Sequence, residues 1–336
     1  MRFAFTDDQL AFSDAVHALL AKECTPDHLR AASATDGRIP GVWSQLVDMG
    51  VVGALAPVGV GGTGLDEVAL IRMCFEAGYA ALPEPLSDTA LVVVPALRDH
   101  AVSADAEAWL ERICSGGAII GLGLAANRGL VDHAIGASAF LLEAGDGLHL
   151  VDADVVSIGP LDSVDPVARP ARVRWTPSSA TLVVGSAVGA TEARSRAALG
   201  SAAELCGLSR RMIEMTVGYV SERRQFGVPI GSFQAIKHHL ANALGAVAFA
   251  EPLVWRAAVS LAEHHPESSV HVAMAKAQSS DAAELVADLT LQCHGAIAYT
   301  VEYDLQFFMK RAWVLARRDG SARSHRATVR AALLGA

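Results

Sequence analysis

The sequence predicts a mainly α chain with a small β domain: an N-terminal helical domain over residues 1–117, a middle β domain over 118–184 and a C-terminal four-helix bundle over 185–336. Three observations predict it. Ala, Leu and Val dominate outside the turns while aromatics are only 6%, and Ala and Leu are good helix formers. Apolar residues recur at helical spacing up to about residue 114 and again from about residue 189. Between these regions the pattern changes to short apolar runs cut by Gly, Asp and Pro, which is the punctuation of strands. With 336 residues, 52% of them hydrophobic, the chain is long enough for such a division around a sizeable core.

The first element begins at Thr6, which with Gln9 makes a capping-box start, and Leu10, Phe12, Val16, Leu19 and Leu20 form the apolar stripe behind it. A second helix is expected from Pro40 to Met49, stopped by Gly50. The turn-rich run from Pro57 to Gly64 then leads into a helix from Asp66 to about Tyr79. That run lacks the Lys-Ser/Thr of a phosphate loop and reads as a plain turn. Strands are expected at Ala118-Ile119-Ile120, Ala139-Phe140-Leu141-Leu142, Leu148-His149-Leu150-Val151 and Val173-Arg174-Trp175, and only in this middle region. Four long helices are expected near 190–222, 233–264, 268–293 and 302–318. In the first of them Leu199, Ala203, Cys206, Ile213, Val217 and Val220 make one stripe, and Leu205, Leu208, Met212, Met215 and Tyr219 make another. Such a helix is buried on two sides, as in the middle of a bundle. Pro252 is expected to kink the second helix rather than end it.

Composition excludes several function classes. A formal charge of -9 argues against general affinity for nucleic acid or anionic membranes, although a local basic patch still suffices for a phosphate-bearing ligand. The five cysteines are scattered without a CxxC pair, so neither a zinc site nor a disulfide framework is indicated, and a cytoplasmic location is expected. No uninterrupted apolar run approaches the roughly 18 residues of a membrane span. The adjacent pairs His238-His239 and His264-His265 point to different helix faces and make poor metal clusters.

Three segments carry chemistry. The first runs from Trp43 through Gly50 and Pro57 to Gly61-Gly62-Thr63-Gly64-Leu65; the second is Glu222-Arg223-Arg224-Gln225-Phe226-Gly227-Val228-Pro229-Ile230-Gly231-Ser232-Phe233-Gln234; the third is Gln292-Cys293-His294-Gly295-Ala296-Ile297-Ala298-Tyr299-Thr300-Val301-Glu302. A guanidinium such as that of Arg223 offers fixed donors to phosphate oxygens, and a glycine-bearing turn lets backbone approach a dinucleotide. Together these segments resemble the acyl-CoA dehydrogenase family, the second being similar to its "RxQFGxPIxxFQ" signature and the third to "QxHGGxGYTxE". The resemblance spans nearly the whole chain. It implies FAD held across a subunit interface, with Arg223 on the cofactor pyrophosphate, Gln292 and Gly295 on the partner's flavin, and Phe226 and Gln234 lining the site. It also implies an acyl-CoA substrate and an electron-transfer flavoprotein as acceptor.

The chain departs from that pattern in three places. One family position for the catalytic glutamate falls on Ala197, which cannot accept a proton; the other falls on Asp319, in Asp319-Gly320-Ser321, one methylene shorter than glutamate. The "GSD" and "WIT" segments of the middle domain are missing. Two glycines of the third segment are Ala296 and Ala298, which adds methyl groups where backbone would approach a cofactor. These losses resemble the small subunits of heterotetrameric actinobacterial dehydrogenases acting on steroid side-chain thioesters, which implies a larger dehydrogenase subunit as partner and as the source of the base. A self-sufficient homo-oligomer using Asp319 as base and a non-catalytic scaffold subunit are the alternatives. The arginines around Asp319, Arg317, Arg318 and Arg323, are expected to hold it as an ion-paired helix end.

Overall fold

A computed structural model describes residues 4–102, 105–145 and 147–335. Helix α1 (Asp7–Glu23) starts with the expected reciprocal cap: the Gln9 amide donates to the Thr6 hydroxyl at 3.2 Å, and the Thr6 amide donates to the Gln9 side chain at 3.0 Å. Two amides with no partner inside the helix are thereby satisfied. Then come α2 (Pro26–Ala34), α3 (Val42–Asp48) and α4 (Glu67–Tyr79), the last capped by the Asp66 carboxylate. A seven-residue π-helix over Ser87–Val93 runs directly into α5 (Val94–His100), and α6 (Ala106–Cys114) completes the helical opening. In the glycine-rich run, a Cβ on Gly62 would lie 2.1 Å from the Ala56 carbonyl oxygen, so the glycine there serves a turn folded tightly on itself.

Seven short strands follow: β1 (Ile120–Gly123), β2 (Leu130–Val131), β3 (Ala139–Ala144), β4 (Gly147–Asp152), β5 (Ser157–Pro160), β6 (Ala171–Arg174) and β7 (Leu182–Val184). They make a four-stranded sheet in the order β1-β3-β4-β7 and a three-stranded sheet in the order β2-β6-β5. Only the β1–β3 pairing is parallel. Side chains alternate across a strand, and in β3 Ala139 and Leu141 enter the core shared with the helices while Phe140 and Leu142 enter a small second core containing Val131, Val151 and Val173. The larger sheet is therefore a middle layer, buried on both faces. Its first strand begins at Ile120 and runs on to Gly123, later than the apolar run at 118–120 suggests. Gly121 and Gly123 belong to it because a Cβ at either would lie 2.6 Å from the Phe140 or Leu142 side chain.

The C-terminal region is built on α7 (Ala187–Glu222), which at 36 residues is about 54 Å long. Its two apolar stripes are buried from Leu199 to Ile213, but Val217 is 46% exposed while Thr216 and Val220 stay buried, because only one side of the last turns meets the core. A hairpin of two-residue strands, β8 (Arg224–Gln225) and β9 (Val228–Pro229), is the one ladder outside the middle region among the described residues. Helix α8 (Gln234–Ala262) passes through Pro252 as a single element, and α9 (Ser268–His294) packs beside it. The final segment divides into α10 (Leu305–Leu315) and α11 (Ala322–Leu334), because residues 316–321 form a turn with Asp319 at φ 56° and Gly320 at φ 99°. Conformations with positive φ cannot continue a helix.

Helices α4 and α7 touch backbone to backbone. A Cβ on Gly207 would lie 2.0 Å from the Phe75 carbonyl oxygen and 2.5 Å from the Tyr79 nitrogen; a Cβ on Gly78 would lie 2.1 Å from the Glu204 carbonyl oxygen. Neither obstacle is a flexible side-chain end. Gly207→Ala must push the two helices apart and is expected to lower stability by roughly 1–3 kcal/mol. Gly218→Ala, on the same helix with open space around it, should leave stability unchanged or raise it by up to about 1 kcal/mol. Urea unfolding midpoints of the two variants check this, and equal midpoints would show that the crossing has slack.

Candidate functional site

The second segment begins where α7 stops. Arg223 caps the helix, its amide donating to the Tyr219 carbonyl at 2.9 Å, and the chain reverses through Phe226 and Gly227 at φ 52° and 82°. Positive φ at both loop residues is the two-residue hairpin geometry that normally selects Asn-Gly, and a phenylalanine in the first place is costly. Among the described residues Phe226 is left 91% exposed, its ring meeting the edge of Phe233 at 6.2 Å between centroids. The hairpin lies back on α7, with the Ile230 amide donating to the Arg223 carbonyl at 2.8 Å. Among the described residues Arg223 makes no salt bridge.

The third segment reaches the same end of the bundle through a ring stack that the sequence reading did not include. His294, the last residue of α9, stacks on Tyr219 at 4.4 Å and 25°. Its Nδ1 lies 2.8 Å from the Thr290 carbonyl, which can only accept, so Nδ1 carries the proton and Nε2 accepts from the Tyr303 hydroxyl at 2.9 Å. Burial holds this imidazole below its usual range and keeps it neutral. Tyr219 stands one turn before Arg223, and that spacing was the available signal. The stack fixes the turn from Gly295 onward against the end of α7. Arg223, Phe226, Gln234, Gln292 and Gly295 are all exposed there, and neither Gly227 nor Gly295 has any atom within 4 Å of a would-be Cβ. Of the two alanines that replace family glycines, Ala298 is 3% exposed and packs into the core. The expectation that both methyls obstruct a cofactor is corrected on that point, since only Ala296 faces outward.

Asp319 lies elsewhere. Ser201, which donates to its Oδ2 at 2.6 Å, precedes Arg223 by 22 positions on α7, so about 33 Å of helix separates the two. The structure therefore does not bring Asp319 together with the other five residues within one chain. Asn127 donates to its Oδ1 at 2.9 Å and accepts from its amide at 2.8 Å, so both carboxylate oxygens are engaged. Of the three arginines expected around it, only Arg318 approaches, at 3.7 Å; Arg317 pairs instead with Glu284 at 2.7 Å. The turn is held from below by the fully buried Lys276, which donates to Ser280, to the Leu315 and Ala316 carbonyls and to the Gly320 carbonyl. Burial pushes this ammonium down to about 8.

Beside Asp319 the interior is filled with charge. Arg318 bonds Asp88 and lies 3.2 Å from Asp132, and Arg311 bonds Asp165 at 2.9 Å. The space they leave, lined also by Glu84, His133 and Glu204, is about 20 Å³, room for one water. A wider cleft opens on the other side of the turn, between residues 126–130 and 161–164 of the middle domain and the 313–324 segment. The carboxylate of Asp319 points into neither as a free base; its hydrogen bonds make it the lock between Asn127 and α7.

Residues 6–117 match the acyl-CoA dehydrogenase N-terminal domain model and residues 190–334 the acyl-CoA dehydrogenase C-terminal domain model. The acyl-CoA dehydrogenase IpdE2 of Mycolicibacterium smegmatis is 31% identical over 309 residues, covering 91% of this chain and 93% of its own. IpdE2 of Mycobacterium tuberculosis is 32% identical over 309 residues, covering 91% of each. Among solved structures, the ChsE4-ChsE5 complex from Mycobacterium tuberculosis superposes with a TM-score of 0.90 at 22% identity over all of both chains. Butyryl-CoA dehydrogenase from Megasphaera elsdenii superposes with a TM-score of 0.88 at 20% identity, over 99% of this chain and 100% of that one. Two domain models that together span most of the sequence, and relatives above 30% identity along nearly its full length, establish that the chain belongs to the acyl-CoA dehydrogenase family.

Proposed function

We propose that this chain is one subunit of an FAD-dependent acyl-CoA dehydrogenase, that it completes a flavin site shared with a larger dehydrogenase chain, and that the partner supplies the catalytic carboxylate. The observation that carries the reading is that Asp319 is locked by Asn127 and Ser201, far along α7 from the residues suited to a cofactor. The residues suited to a cofactor stand exposed and without ion-pair partners at one end, and the only acid at a family base position is locked about 33 Å away. A costly Phe226 conformation kept on the surface has a use only if something covers it. Helix α8 adds to the case: it is long and apolar enough by composition to cross a membrane, yet less than half of that stretch is buried, and Phe249 is 77% exposed. As α8 is packed in a bundle beside α7 and α9, we assign its bare face to a partner subunit.

The residues fit FAD by their chemistry. Arg223 presents a guanidinium to pyrophosphate oxygens, Phe226 an aromatic face, and Gln234 and Gln292 amides; the open backbone at Gly227 and Gly295 admits close approach. When bound, the flavin supplies the hydride acceptor for α,β-dehydrogenation of the thioester. This chain's part is to bind and orient it, through a hairpin held by the Tyr219–His294–Tyr303 stack. Beside Asp319 the Arg318 ion cluster leaves room for only about one water, which supports assigning the chemistry to the partner's side. A bulky, steroid-type thioester is the substrate class proposed, because similar folds include the Tcur3481-Tcur3483 steroid acyl-CoA dehydrogenase. An electron-transfer flavoprotein is the acceptor proposed.

Two experiments on the co-purified complex test this. Arg223→Ala removes a charge-assisted bond of about 1.5–3 kcal/mol and should weaken flavin binding roughly tenfold or more; full flavin occupancy after dialysis would reduce Arg223 to a surface charge. Asp319→Asn keeps the size but loses one acceptor, and should lower the melting temperature while changing turnover per folded complex only a few fold. Near-complete loss of turnover with flavin and fold retained would make Asp319 the base and restore a self-sufficient enzyme.

A further inference from the structure

The charged filling at the junction of the three layers is not needed to close a cavity, which apolar side chains do at lower cost. Its composition is also unbalanced. Glu84 and Asp88 come from the helical opening, Asp132 and Asp165 from loops of the middle domain, Glu204 from α7 and Asp319 from the 316–321 turn. Against these six carboxyl groups stand three guanidinium groups, Arg38, Arg311 and Arg318, and the ammonium of Lys276 beyond the turn. Two negative charges would remain if every acid were ionised. An enclosed surplus of that kind is relieved most simply by protons.

The geometry identifies the acid that takes one. Asp88, Asp132 and Asp319 share Arg318; Asp165 has Arg311; Glu84 has Arg38 at 3.1 Å. Glu204 alone among them makes no salt bridge among the described residues, and its one hydrogen bond comes from the Ser87 hydroxyl. The accessible surface it retains lines the 20 Å³ cavity. Facing it from the π-helix are Ser87 and Asp88, from the preceding turn Glu84, from α4 the buried thiol of Cys74, from the middle domain Asp132, His133 and Asp165, and from α10 and its end Arg311 and Arg318. We propose that this junction is a proton-linked clamp, in which Glu204 carries a proton while the middle domain is seated and its ionisation above neutral pH loosens that seat.

Loss of hydration raises Glu204 to about 7, against the opposing pull of the Ser87 hydroxyl, Arg318 and Arg311. The same cause raises Asp132 to about 6 and Glu84 to about 7. For a carboxyl raised in the folded state, the stabilising proton is fully present below the unfolded value near 4 and is lost as pH climbs towards 7. His133 acts in the opposite sense: burial and the neighbouring arginines hold it well below its usual range, so it costs stability as pH falls below about 6.5. Glu204→Gln removes the Glu204 share of the first effect and leaves the contributions of Asp132, Glu84 and His133 in place.

Thermal unfolding of the wild-type chain and Glu204→Gln between pH 5 and 8.5 tests the clamp, with hydrogen exchange over residues 120–184, corrected for intrinsic rates, as the second readout. The clamp requires the gap between variant and wild type to be small at pH 5 and to widen by about 2–4 °C in favour of the variant by pH 8.5, and requires the variant to show a smaller rise in exchange with pH than the wild type. Glu111→Gln, an exposed acid on α6, should follow the wild type at every pH. Parallel profiles for wild type and Glu204→Gln would overturn the proposal. So would a Glu204→Gln chain that fails to fold at every pH, because a neutral carboxamide must substitute for a neutral acid if protonation is what the junction needs.

Discussion

The contact on which the rest of this structure depends is the crossing of α4 and α7, where Gly78 and Gly207 let two backbones meet with no side chain between them. That crossing fixes the helical opening on the bundle. It also brings the π-helix, with Ser87 and Asp88, over Glu204 and Arg318. The charged junction forms where that π-helix meets α7 and the end of α10, while the turn at Asp319 is held separately by Asn127, Ser201 and Lys276.

Closure on one side contrasts with exposure on the other. The chain spends its polar side chains inward around Arg318 and Lys276, and turns Arg223, Phe226, Gln234 and Gln292 outward about 33 Å along α7. A self-contained active site needs its base and its cofactor contacts to converge on one reacting centre. Here they diverge within the chain, and the proposed shared site brings them together across a subunit interface.

Much of the fold was legible because its signals are local. Thr6 and Gln9 cap α1 as their spacing predicts, Gly50 ends α3 one turn after its last apolar residue, and Pro252 leaves α8 intact. Where reading failed, the deciding contact lay far away in sequence. Gly121 and Gly123 look like turn residues and are strand residues because of Phe140 and Leu142. Ala298 looks like a lost cofactor contact and is a core residue. The acids and arginines of the junction come from seven separate stretches of chain, each resembling an ordinary solvated charge, so no window of sequence reveals the cluster. For the candidate site, the second and third segments indicated which residues belong together, whereas the Tyr219–His294 stack that joins them depends on a bundle geometry that motifs do not encode.

The central claim, that this chain completes a flavin site without owning one, is tested most directly by flavin stoichiometry. The chain is purified alone and co-expressed with a candidate larger acyl-CoA dehydrogenase subunit, and flavin absorbance is measured per polypeptide. The account predicts no retained flavin on the isolated chain and one flavin for each pair of chains in the complex. One flavin per chain on the isolated protein, together with turnover of an acyl-CoA thioester, would contradict it.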